Sequence, residues 1–97
     1  MEILVNHNLS IEEAQSRIKN LANELKKQYG DQLKNYTEEW QENKVNVSFK
    51  AMGFNISGVI EILENKVVMN GKVPMMLKAF EGQVKDQIYS TLENLLK

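Results

Sequence analysis

Few side chains in this 97-residue sequence have the type and placement to do chemistry. His7 is its only histidine, so a two-histidine metal site within one chain is excluded. A mixed site would need carboxylates converging on His7, and no spacing in the sequence identifies them. The plainer reading of His7 is a hydrogen-bonded residue that ends a strand. Glu38 falls in strand phase with Tyr36 and Trp40, which puts a carboxylate between two aromatics on one strand face. Buried there, it would hold its proton unusually tightly, a property that sometimes marks an active site. An edge strand that turns this face to water explains the same pattern more simply. There is no cysteine, no glycine-rich phosphate loop after a strand, and no serine with an identifiable base partner. No catalytic residue, metal ligand or cofactor is assigned, and His7 and Glu38 are the polar candidates.

The apolar candidates are Met69, Met75, Met76, Leu77, Phe80 and Val84, gathered around the entry to the last helical region. Flexible thioethers beside aromatic and branched side chains can line an adaptable pocket. They also fill cores, which is the default role for residues at strand or helix spacing.

The elements that would position these residues can be read from periodicity. Phe80, Val84, Ile88, Leu92, Leu95 and Leu96 recur at three- and four-residue steps, and Lys78, Lys85, Asp86, Tyr89 and Glu93 fall opposite. This closing helix needs an apolar surface to lie against. Pro74 can open the region. Gly82 allows two readings: the helix proper begins near it after a short turn over 75–79, or the backbone passes close to a neighbour there. Toward the N-terminus, residues 3–7 alternate as a short strand. Ser10 and Glu13 form a capping box for a helix whose inner face is Ile11, Ala14, Ile18, Leu21, Ala22, Leu25 and Tyr29. Glu13 and Arg17 pair on its outer side, and Gly30 stops it.

Between the helices lie four strands, over 36–41, 45–50, 54–62 and 67–73. The turns are Glu42-Asn43-Lys44, Met52-Gly53 and Glu64-Asn65-Lys66. Gly58 stands where an apolar side chain belongs, so it either relieves crowding or permits a bend. The last strand's phase is ambiguous because Val67 and Val68 are both apolar.

A single α+β domain over residues 1–97 follows: strand, helix, four-stranded antiparallel meander, helix, with both helices on one face in a small helix-grip arrangement. The position of the first strand in the sheet is left open. A bare opposite face would expose Val59, Leu63 or Val68, and such a patch can become an interface, so a homodimer is one expectation. By analogy of fold alone, a small acyl-type ligand could sit between sheet and closing helix, in a pocket of a few hundred Å³.

The formal net charge of −1, with acids and bases interspersed, provides no basic stripe for nucleic acid. No apolar run approaches the length of a membrane span, and the N-terminal apolar run is too short for a signal peptide. A soluble, cytoplasmic protein is expected.

Three patterns, in order along the chain, resemble the polyhydroxyalkanoic acid system family of small bacterial proteins. His7-Asn8-Leu9 followed by Ala14 is similar to a His-x-Leu before the family's first helix. Trp40 before a polar turn, an alternating strand, and Gly58 in the next is the second. Leu77-Lys78-Ala79-Phe80-Glu81-Gly82-Gln83-Val84 resembles the Leu-x-Pro-Phe-x-Gly-x-Ile that opens the closing helix, with Ala79 in place of proline. Ser10 stands where glycine is common. The resemblance implies an association with synthesis or granules of a storage polyester and no defined activity. Three expectations follow: a non-catalytic accessory or binding protein acting through an apolar surface or groove; a small apolar-ligand module; and an enzyme on hydroxyacyl thioesters using His7 and Glu38.

Overall fold

Ile3 and Val5 turn inward while Glu2, Leu4 and Asn6 turn out, and this period-two pattern makes β1 (Glu2–Asn6) a strand buried on one face only. The computed structural model describes residues 1–51 and 53–97. After β1 come α1 (Ile11–Ile18), α2 (Leu21–Tyr29), β2 (Leu33–Gln41), β3 (Lys44–Ala51), β4 (Phe54–Ile62), β5 (Lys66–Lys72) and α3 (Glu81–Leu95). The strands form one antiparallel sheet in the order β1-β5-β4-β3-β2. The meander expected from the short turns is therefore present, and β1 closes the sheet against the last strand.

The N-terminal helical arm is interrupted, whereas its periodicity suggested one helix. The Lys19 N–H still reaches Gln15 O, but that of Asn20 turns to Arg17 O, one residue short of the α-helical partner. Asparagine is a weak helix former that competes for backbone bonds, so a break there costs little. Ile18, Leu21 and Leu25 nevertheless all reach the core, because the interruption preserves their phase. Of the two alanines read on the inner face of this arm, Ala14 is buried and Ala22 half-buried. The capping box is half formed: the Glu13 N–H donates to Ser10 Oγ at 3.1 Å, while the Glu13 carboxylate accepts from Arg17 instead, at 2.9 Å. Gly30 ends the arm with φ 54, a backbone region that side chains disfavour.

β2 begins earlier than its sequence suggested, at Leu33. A bulge between Lys34 and Thr37, with Asn35 at φ 55, absorbs an extra residue and disguises the alternation. The turn at Met52-Gly53 lies partly outside the described residues; Gly53 has φ 85, and Ala51 pairs with Phe54 across it. In β5, Val67, Met69 and Gly71 face inward and Val68 outward, which resolves the phase.

One sheet face and the helices share the core, built on Ile3, Val5, Val45, Ile60, Ile62 and Val67 with Ile18 and Leu92. Gly58 and Gly71 are paired on that face. A Cβ on Gly58 would sit 2.7 Å from Met69 Cε and 3.1 Å from Asn70 O, so relief of crowding is the reason for this glycine. Among the described residues no helix covers the other face, which carries cross-strand polar rows. Thr37 and Ser48 share a hydroxyl–hydroxyl bond of 3.0 Å, and Lys44 lies 3.9 Å from Glu61.

Candidate functional site

Pro74 has the extended backbone that ends β5, and the Leu77 N–H then bonds Pro74 O at 2.9 Å to begin a 3-10 segment, Met75–Phe80. α3 proper starts at Glu81, and a Cβ on Gly82 would meet nothing within 4 Å. Of the two readings of Gly82, the late helix start is thus the correct one. In a 3-10 turn side chains step by 120° rather than 100°, so Phe80 drops out of the α3 stripe. It is 54% exposed instead of buried.

The six apolar candidates divide. Met69 is 5% exposed, folded over the paired glycines, and Val84, in the first turn of α3, is half-buried. Both line a cavity of about 30 Å³ between α2, α3 and the sheet. That is roughly the room of one water, whereas a small-molecule pocket needs about 300–1,000 Å³. Leu77 is half-buried. Met75 and Met76 are 86% and 80% exposed and, with Phe80, are the three most exposed large apolar side chains among the described residues. Single exposed apolar residues are ordinary; three within six positions concentrate exposed apolar surface on one short segment with no buried residue.

The polar candidates are both satisfied within the fold. The Leu9 N–H donates to His7 Nδ1 at 3.1 Å, so the ring proton sits on Nε2, which donates to Leu63 O at 3.0 Å. The His7 N–H also reaches Asn65 O. This buried ring ties the end of β1 to the β4–β5 turn. Glu38 accepts from Trp40 Nε1 at 2.6 Å and from the Tyr36 hydroxyl at 3.0 Å. Burial pushes the Tyr36 phenol up, and the adjacent carboxylate pushes the same way. Lys19 Nζ lies 5.3 Å from the centre of the Trp40 ring, covering it with a cation. The aromatic–carboxylate–aromatic strand face read from the sequence is therefore real, but it stands on an edge strand and is half-buried. His7 ends the opposite edge, four strand spacings away, about 19 Å at about 4.8 Å per step. The fold does not bring the two together, and no group of three or more His, Asp or Glu side chains suited to a metal ion occurs among the described residues.

Sequence reasoning missed the polar seam of the helical layer. Gln28 Nε2 of α2 donates to Thr91 Oγ1 of α3 at 2.7 Å, and the buried Thr91 hydroxyl donates onward to Gln87 O at 3.0 Å. Thr91 completes an i, i+3, i+4 row with Ile88, Leu92 and Leu95, which was the available signal. Arg17 was assigned only to Glu13, yet its guanidinium also donates to Leu95 O at 3.3 Å and to Lys97 O, capping the end of α3.

Fold and surface together define a two-layer α+β domain, helices on one face of a sheet, whose polar candidates are spent on structure and whose exposed chemistry is apolar. The family model described as "Putative polyhydroxyalkanoic acid system protein" matches residues 1–96, and the chain belongs to that family. No curated protein and no solved structure matches it. No helix among the described residues is long and apolar enough to cross a membrane.

Proposed function

We propose that this protein is a non-catalytic accessory of the polyhydroxyalkanoate system, which works in the cytoplasm and docks on the hydrophobic granule surface through Met75, Met76 and Phe80. The single observation that carries the reading is the exposure of these three side chains on a segment with no buried residue. A folded domain gains nothing from holding thioethers in water, while an apolar surface would take them out of it, at about 25 cal/mol per Å². Membership of the family supplies the kind of surface. The separation of His7 from Glu38, each already hydrogen-bonded, supports the absence of catalysis.

Co-sedimentation with purified granules tests the proposal, with an unrelated acidic protein of equal size as control. The wild-type chain should be retained, and a Met75→Ser, Met76→Ser, Phe80→Ser variant lost, with the fold unchanged. Equal recovery of chain and control would defeat the reading. The acyl-ligand alternative has less support, since a cavity of about 30 Å³ must widen roughly tenfold before a ligand fits. Leu4 and Val59, exposed on the bare sheet face, support self-association; light scattering that finds only monomer at high micromolar concentration would remove it.

A further inference from the structure

Met75 and Met76 differ from Met69 in one property that matters to sulfur chemistry. Their side chains are open to solvent, at 86% and 80%, whereas Met69 is 5% exposed beneath the helical layer. Thioether oxidation follows access of the oxidant to the sulfur lone pair. We propose that Met75 and Met76 are a paired oxidation site whose modification by peroxide releases the domain from an apolar surface; the inference rests on the docking reading above. In the step, a sulfur lone pair attacks one peroxide oxygen, the O–O bond breaks, and the sulfur is oxidised by two electrons to the sulfoxide. The other oxygen leaves as water once protons are transferred. The reverse step needs two thiols, which become a disulfide as the sulfoxide oxygen departs as water.

Two structural facts make this a switch rather than damage. The 3-10 segment holds no buried residue, so a polar, larger sulfoxide is accommodated without entering the core. The two methionines also provide most of the exposed apolar surface of the patch, so their oxidation replaces apolar contact with groups that prefer water. Phe80, which peroxide leaves unchanged, is the remaining and less exposed member.

The test treats the whole chain with hydrogen peroxide, follows each methionine by peptide mass spectrometry, and measures retention on granules. Met75 and Met76 should oxidise at least tenfold faster than Met69. At the stage when only they are modified, retention should fall at least tenfold with the thermal midpoint unchanged. A Met75→Leu, Met76→Leu variant should be retained before treatment and after it. Untreated wild-type protein that fails to bind overturns the docking reading and the switch with it. Untreated protein that binds, together with doubly oxidised protein that binds equally well, overturns the switch alone. So does a treated leucine variant that loses binding, or Met69 oxidising as fast as the exposed pair.

Discussion

The Trp40 indole N–H donates to Glu38 Oε2 at 2.6 Å, two residues away along the same strand face, while the Tyr36 hydroxyl takes the other carboxylate oxygen. The three side chains are consecutive on one face of β2 and lock each other's rotamers. Tyr36 also stacks on Phe49 of β3, with ring centroids 6.2 Å apart, which ties the cluster to the core. Removing the carboxylate with Glu38→Ala should cost about 1 kcal/mol, because both donors can turn to water on this half-exposed face. It should also alter the emission of the only tryptophan. An unchanged Trp40 spectrum would mean the bond is not kept in solution.

The raised Tyr36 phenol makes the protein sensitive to alkali. The ordinary value is 10.0, and burial with the neighbouring carboxylate lifts it in the folded state. Below about pH 10 both states keep the proton and nothing is lost. Above it, the unfolded chain gives up the proton while the folded chain holds it, so stability declines as pH climbs. Thermal midpoints from pH 8 to 11 should fall less steeply for Tyr36→Phe than for wild type. A residual slope should remain from Tyr29, whose phenol burial also raises. Identical slopes in the two proteins would show that Tyr36 titrates normally.

Leu92, 1% exposed, carries α3. Leu92→Ala should cost about 2–5 kcal/mol through lost transfer energy and the cavity left behind, while Glu93→Ala on the exposed side should hardly shift the thermal midpoint. Well below its midpoint, Leu92→Ala should still bind granules, because the patch lies outside α3. Lost binding with undiminished stability would instead make the helix itself the anchor.

His7→Phe keeps an aromatic ring, a somewhat larger one, and removes both ring bonds, leaving Leu63 O and the Leu9 N–H without their partner. A loss of about 2–6 kcal/mol is expected, at about 1–3 kcal/mol for each buried group left unpaired. Chemical denaturation measures it. A change under about 0.5 kcal/mol would mean that water replaces the ring.

Gly58→Ala should cost about 1–3 kcal/mol by overpacking. Part of this should return when Met69 is shortened to valine, since Met69 Cε is the nearest atom to the added methyl. The Asn70 carbonyl, at 3.1 Å, cannot withdraw and sets the part that does not return. A double-mutant cycle without coupling would place the strain elsewhere.

Strand alternation was legible wherever one face is buried and the other wet, as in β3 and β4, because a one-residue slip would bury Lys50 or Glu61. The late start of α3 was legible as an alternative through Gly82. The break after Ile18 was not, since the apolar phase runs through it undisturbed while the Asn20 N–H turns from its α-helical partner to Arg17 O. Phe80 was misplaced because a 3-10 turn and an α-helix put the same residue on different sides. The Tyr36–Glu38–Trp40 face could be read from spacing alone. The Gln28–Thr91 bond could not, because it joins residues far apart in the chain through a contact that only packing creates.

The pairing of β1 with β5 has a consequence for how the chain reaches its fold. β2 to β5 are joined by tight hairpins and can zip up in sequence order, each strand on the one before. β1 must wait, since Ile3 pairs with Met69 and Val5 with Val67, more than sixty residues away. Closing so long a loop costs entropy before any contact repays it. On a growing chain β1 and the helical arm emerge first and have no sheet to join. The arm can settle once β2 to β4 have formed, but the apolar face of β1 remains unpaired until β5 has been made, and it is this interval, rather than the finished domain, that is most exposed to aggregation.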